Sequence, residues 1–180
     1  MPNYIALLRA VNVSGSNRVP MSDLRAIAVD LGYGDPRTML QSGNLVFQVD
    51  GRLPNEIEIA LAASLLDRLG VQTDVFVRTR DEWEDMIMAN PLSEAAVSDP
   101  SHMVVVFTNE TPSGDRVEAL RAAIKGREIV VSHGRQLYAT YPDGIGESKL
   151  TIGLIEKKLG IRGTGRNWNT ILKLAELCRN

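Results

Sequence analysis

The stretch that decides the fold is RTMLQSGNLVFQV, residues 37–49, in which two extended runs lie on either side of Ser42-Gly43. Val46, Phe47 and Val49 suit a pleated, half-buried strand. A glycine accepts a positive φ that a side chain resists, so the pair Ser42-Gly43 is typical of a tight turn. The stretch therefore predicts a β-hairpin.

A strand and a helix flank this hairpin on each side. The apolar runs YIALL (residues 4–8) and TDVFVRT (residues 73–79) are typical of strands. A helix is predicted between each of these strands and the hairpin, because apolar residues recur there at helical spacing. The first helix follows Pro20 and has the apolar residues Leu24, Ile27, Ala28 and Leu31. The second follows Pro54 and has Ile57, Leu61, Leu65 and Leu69. The resulting order is βαββαβ.

The second half repeats this order less clearly. It begins with the strand-like HMVVVFT and continues with a helix bearing Val117, Leu120 and Ile124, a hairpin at His133-Gly134, and a helix from about Glu147 to Leu159. No final strand is visible, and a last helix follows with Asn167 as a possible N-cap. We predict an α+β protein of two ferredoxin-like (α-β plait) halves, with antiparallel sheets, helices packed on one face of each and a C-terminal helix. The halves comprise residues 1–80 and 102–180, and residues 81–101 form an acidic helix and a linker.

Strand directions in a plait bring two polar loops together. If the first strand runs up, the second also runs up, so the turn after the second strand lies beside the end of the first. Asn12 to Asn17 and Gln41 to Asn44 should therefore share one edge of the first sheet. The positive N-terminus of the first helix should point to the same edge.

Composition limits the classes of protein that this chain can be. Its 180 residues are 44% hydrophobic with a formal net charge of -2, which gives a real core and no global attraction to nucleic acid or anionic membrane. The only cysteine, Cys178, excludes an intramolecular disulfide and fits a reducing cytoplasm. No signal peptide or membrane-spanning run is recognisable. We expect a cytoplasmic protein.

Three segments carry a resemblance to a known family. The segments LLRAVNVSGSNRVPM, LQSGNLVF and GRNWNTILKLAE resemble the signature blocks of the domain of unknown function 1697 family, an uncharacterised and mostly bacterial group. The resemblance implies two plait-like repeats and supplies no reaction. The matching residues are Arg9, Asn12, Pro20, Gln41, Ser42, Gly43, Asn44, Arg166, Asn167, Trp168 and Asn169. The family pattern has glycine where this chain has Ala10, and more glycine at Ser14 and Ser16.

The first polar loop has two interpretations. Asn12, Ser14 and Asn17 could bond to turn backbone and cap the helix near Pro20. Alternatively, loop N–H groups, the helix dipole and Arg9 or Arg18 could hold a phosphate or carboxylate. The loop is not a P-loop, since it has no Gly-x4-Gly-Lys-Ser/Thr.

Further candidate residues lie in the other two segments. Ser42 and Asn44 fit a hairpin turn, whereas Gln41 could bind a ligand at the same edge. Arg166 is unfavourable near a helix N-terminus unless an anion partners it, and Trp168 suits a core anchor better than a stacking platform. The glycine-rich DGIGESK before the helix predicted near Glu147 is more typical of a plain loop than of an anion site.

Other chemistries have little support in the sequence. Only His102 and His133 could join Cys178 as transition-metal ligands, no G-x-S-x-G elbow is present, and the acidic pairs of DEWEDM are typical of a solvated surface. The strand NLVFQV lacks the cations and aromatics of an RNA-binding plait, which makes nucleic acid an improbable partner. We expect no cofactor and no metal.

The sequence therefore favours binding of a small anionic or phosphorylated ligand at the edge of the first plait. Arg9, Asn12, Ser14, Asn17, Arg18, Gln41, Ser42, Asn44 and Arg166 are the candidate ligand-binding residues. Two alternatives remain. The first is a protein–protein interaction or self-association module without catalytic activity, for example a homo-oligomer, that uses an exposed edge strand or sheet face. The second is an enzyme acting on a nucleotide or phosphorylated substrate, with no catalytic residue assigned.

Overall fold

A computed structural model describes residues 1–180, and the chain divides into two compact units. The first unit comprises Met1–Met88 and Lys173–Asn180, and the second comprises Ala89–Leu172. Each unit contains one four-stranded sheet. The acidic stretch between the predicted halves is divided, since its first helix belongs to the first unit and its remainder to the second.

The first unit follows the predicted order of elements. These are β1 (Asn3–Leu8), α1 (Met21–Asp30), β2 (Gly34–Met39), β3 (Asn44–Gln48), α2 (Pro54–Leu69), β4 (Val75–Thr79) and α3 (Arg80–Met88). The strand order is β2-β3-β1-β4, and all neighbouring strands are antiparallel. This is the order of an α-β plait, so the predicted fold class and the hairpin at Ser42-Gly43 are confirmed.

One face of this sheet packs against α1 and α2. Alternate residues of β1, including Ala6 and Leu8, join Leu24 and Leu61 of the helices in a single buried cluster. Phe47 stacks on Tyr33, with the two ring centroids 4.7 Å apart. Alternate residues of β1 and the apolar stripes of both helices therefore form the core on this face of the sheet.

The second unit repeats the same topology. After α4 (Ser93–Ser98) and a 3-10 turn (Pro100–His102) come β5 (Met103–Thr108), α5 (Gly114–Ala123), β6 (Ile129–His133), β7 (Gln136–Thr140), α6 (Ile152–Leu159) and β8 (Gly163–Asn167). The strand order is β6-β7-β5-β8. The last helix, α7 (Trp168–Arg179), begins in the second unit and ends in the first.

Two expectations for the second half were wrong. A final strand does exist, because GTGRN (residues 163–167) pairs antiparallel with β5 although it has no alternation of apolar residues. Gly163 packs so closely that a Cβ would lie 3.0 Å from the Phe107 carbonyl oxygen. The sixth helix starts at Ile152 rather than near Glu147, because the Thr151 side chain caps it by accepting a bond from Leu154 N at 3.2 Å.

The predicted N-cap of the last helix is confirmed. Asn167 Oδ1 accepts a hydrogen bond from Thr170 N at 3.0 Å, which satisfies one of the free donors at the helix start. Among all the helices, none combines the length and the apolar character that crossing a bilayer requires.

Candidate functional site

The loop between β1 and α1, residues 9–19, has an unusual backbone. Positive φ angles of 49–77° occur at five of its residues, namely Ala10, Asn12, Ser14, Gly15 and Asn17. Only glycine adopts this conformation without a steric cost, although asparagine tolerates it better than other residues. Ala10 and Ser14, where the family pattern has glycine, therefore carry strain. We call residues 9–19 the polar loop.

Asn12 closes the polar loop and joins it to the hairpin. Its Nδ2 donates to Val19 O at 2.8 Å and to Gln41 O at 2.7 Å, and its Oδ1 accepts from Val19 N at 2.8 Å. The backbone N–H of Asn12 also donates to Asn17 O at 3.0 Å. The prediction that Asn12 and Gln41 share one edge is confirmed. The Asn12 amide holds the site together, since both of its donors are used within the protein.

The turn between β2 and β3 forms the second wall of this edge. Gly43 has a φ of +83°, and a Cβ on it would lie 2.8 Å from both Leu8 Cβ and Val11 Cγ2. Leu8 N donates to Gly43 O at 2.9 Å. The hairpin thus packs tightly against the end of β1. Position 43 requires glycine for two reasons: a side chain has no space there, and the backbone φ is positive.

Ser42 and Asn44 stabilise this turn. Asn44 is fully buried, and its Nδ2 donates to Met39 O at 2.8 Å and to Ser42 Oγ at 3.0 Å. Gln41 contributes its backbone carbonyl to Asn12, while its side chain lies at the exposed surface. Gln41 and Ser42 are both exposed, and the Gln41 side chain makes no hydrogen bond within the protein.

The two arginines of the polar loop differ in their surroundings. Arg9 is anchored to the segment before β4, since its N–H donates to Asp74 O at 3.0 Å and Thr73 Oγ1 donates to Arg9 O at 2.6 Å. Its guanidinium Nη1 lies 4.0 Å from Asp74 Oδ2. Arg18 is exposed and forms no ion pair. The sequence did not indicate Thr73 and Asp74, because nothing in their pattern distinguishes them from other residues that precede a strand.

Several backbone donors of this region are uncommitted. The N–H groups of Ser14, Gly15 and Arg18 make no hydrogen bond within the protein. Helix α1 begins next to the loop, and its N-cap, Pro20, provides no side-chain cap. Asp23 lies in the first turn of α1 and offsets part of the positive potential there. Ser14, Gly15 and Arg18 are exposed, so their N–H groups are accessible to solvent.

Arg166 belongs to the other unit. It lies in β8, opposite Val105 of β5, and is 7% exposed. Its Nη1 donates to Thr164 Oγ1 at 2.7 Å and to Gly165 O at 2.9 Å. Burial lowers the pKa of the guanidinium to about 10, so the side chain stays charged at neutral pH inside the second sheet. A ligand-binding role of Arg166 stays a prediction.

Metal ligands and thiol chemistry contribute nothing to this edge. No three histidine, cysteine, aspartate or glutamate side chains are grouped so that they could hold a metal ion. Cys178 is buried, and burial raises the pKa of its thiol, which disfavours the reactive thiolate. The chemistry of the site is therefore that of hydrogen-bond donors and arginines.

Comparisons with known proteins agree with the fold. The family model described as "Protein of unknown function (DUF1697)" matches residues 1–138. The structure of the conserved bacterial protein SP0830 from Streptococcus pneumoniae superimposes with a TM-score of 0.77 at 19% sequence identity, covering 100% of this chain and 99% of that one. No curated protein matches the chain. At this identity the structural likeness bears on the fold alone.

Proposed function

The chain belongs to the DUF1697 family, and we propose that it binds a small anion, a phosphorylated or carboxylate-bearing molecule, at the edge formed by the polar loop and the β2–β3 turn. The observation that carries this proposal is the strained loop itself. Four non-glycine residues adopt positive φ in it: Ala10, Asn12, Ser14 and Asn17. Asparagine tolerates this conformation, whereas Ala10 and Ser14 each cost about 1–3 kcal/mol, and such strain clusters at functional sites.

Anion binding by the polar loop would account for this backbone strain. Successive N–H groups in turns of this kind converge on one point and bind anions. Ser14 and Gly15 offer two consecutive free donors, and Arg18 adds a positive charge that no carboxylate neutralises. Charge-assisted hydrogen bonds are about twice as strong as neutral ones, so these few groups suffice to orient a small ligand.

Self-association through the edge strand β2 of the first sheet has less support. The edge strand β2 contains Pro36, and its register shifts between Gly34 and Arg37. Asp35 and Arg37 also form an ion pair at 3.2 Å on this strand. Proline, bulges and charges are the features by which proteins prevent edge strands from pairing.

Titration calorimetry with inorganic phosphate and with a nucleoside diphosphate tests the proposal. The variant Arg18→Ala removes the exposed charge of the polar loop, and we expect it to weaken binding about fivefold, near 1 kcal/mol. Arg52→Ala is the matched control, because Arg52 is an exposed arginine beyond the opposite end of β3. Equal affinity of the two variants, or no binding by the natural sequence at millimolar concentration, would refute the proposal.

A further inference from the structure

The second unit contains a cleft of about 680 Å³, large enough for a small organic molecule. One wall consists of residues 91–102, and the other comes from β6, β7 and the residues that follow them. Apolar contacts are offered by Leu92, Ile129 and Pro142. All lining residues belong to the second unit, so the cleft is separate from the polar loop.

A histidine held by an aspartate lines this cleft. His102 Nδ1 lies 2.8 Å from Asp99 Oδ2. The backbone of His102 is fixed as well, since its N–H donates to Asp99 O at 3.2 Å and its carbonyl accepts from Tyr141 N at 2.8 Å. An ionised carboxylate only accepts hydrogen bonds, so Nδ1 carries the hydrogen and Nε2 of the neutral ring is an acceptor. No group of the protein donates to Nε2.

A buried hydroxyl in the same cleft also lacks a partner. Thr140 lines the cleft, is 8% exposed, and its Oγ1 makes no hydrogen bond. A buried polar atom without a partner costs about 1–3 kcal/mol, and valine would fill the same volume without that cost. The unpaired hydroxyl therefore lowers the stability of the free protein, and Thr140→Val would remove this cost.

The charges of the cleft indicate the class of that ligand. Arg127, the only arginine or lysine of the lining, is held by Asp143 through two hydrogen bonds, one of them from Nε to Oδ2 at 3.0 Å. The Glu94 carboxylate forms no ion pair. Glu94 is exposed, and neither Glu94 nor Asp99 is paired with an arginine or lysine, so the lining offers negative charge and a ring nitrogen beside apolar side chains.

We propose that this cleft binds a small organic ammonium compound. Its apolar body packs on Leu92, Ile129 and Pro142, its positive charge pairs with Glu94, and it donates a hydrogen bond to His102 Nε2. This ligand would satisfy the unpaired carboxylate and the free ring nitrogen together. The proposal is independent of anion binding at the polar loop, because it uses residues of the other unit.

The test uses tyramine as the probe and the two histidines as reporters. His102 and His133 are the only histidines of the chain, so long-range ¹H–¹⁵N spectra resolve both rings. At about pH 8 tyramine is protonated, because an aliphatic amine such as that of lysine has an ordinary pKa near 10.4. We expect tyramine at up to about 10 mM to shift the His102 signals saturably and to leave those of His133, at the β6–β7 turn, unchanged.

The carboxylate 3-(4-hydroxyphenyl)propionate is the matched compound of opposite charge. It should not shift the His102 signals, and an equal response to both compounds would overturn the proposal. So would the absence of a saturable tyramine response, or equal responses of His102 and His133.

Two variants test the named contacts. Glu94→Gln should weaken tyramine binding about threefold to fivefold, while Glu110→Gln, which removes an exposed carboxylate beyond the far end of β5, should not. Thr140→Val should raise the melting temperature of the free protein. Unchanged tyramine affinity in Glu94→Gln would contradict the charge assignment and overturn the proposal.

Discussion

Replacing Gly43 by alanine should destabilise the first unit strongly. The added Cβ would lie 2.8 Å from Leu8 Cβ and from Val11 Cγ2, closer than carbon atoms approach in folded proteins. Both neighbours are buried at the end of β1, so neither can move without disturbing the core. Alanine must also adopt a φ of +83°.

The magnitude follows from these two contributions. The left-handed conformation costs a non-glycine residue about 1–2 kcal/mol, and overpacking a buried contact costs about 1–3 kcal/mol. The lower entropy of the unfolded alanine chain returns about 0.4–1 kcal/mol. We expect a net loss of about 2–4 kcal/mol in the free energy of unfolding, measured by urea denaturation followed by circular dichroism.

Gly70→Ala is the matched control for this experiment. Gly70 ends α2 with a φ of +66°, and a Cβ there would have nothing within 4 Å. Its replacement should therefore cost only the conformational part, about 1 kcal/mol. If both variants lose the same stability, the hairpin is not pressed against β1, and the account of this edge fails.

Three further changes should have measurable outcomes. Asn12→Ala removes the amide that joins Val19 and Gln41, and urea denaturation should show a loss of about 2–3 kcal/mol; a loss under about 0.5 kcal/mol would contradict the bonding described. Ala10→Gly relieves a φ of +52° and should raise the free energy of unfolding by up to about 1 kcal/mol, whereas a decrease would argue against that conformation. Burial raises the pKa of Tyr141 to about 12, so the folded state holds this proton more tightly than the unfolded state. The resulting stability is complete below the ordinary tyrosine pKa near 10 and is lost as the pH rises through about 12. Tyr141→Phe should lose less stability over that interval in denaturation at fixed pH values, and an equal loss would refute the assignment.

The sequence by itself determined the plait topology of the first unit. Apolar strand runs and helical stripes are local patterns, and the order βαββαβ with a hairpin in the middle leaves few ways to bury them all in one core. The meeting of Asn12 and Gln41 was predictable for the same reason, because strand directions alone bring both loops to one edge. In the second unit this reasoning missed β8, since its glycines have no apolar pattern and its pairing depends on close approach to β5.

Only the tertiary structure decided which side chains of the polar loop remain available to bind a ligand. Asn12 and Arg18 are both polar residues of one loop in the sequence, yet the Asn12 amide is used within the protein and Arg18 forms no ion pair. The cleft beside His102 could not be read from the sequence either, because its walls are 25 or more residues apart along the chain. Hydrogen-bond partners and cavities depend on the register and spacing of distant segments, which local periodicity does not determine.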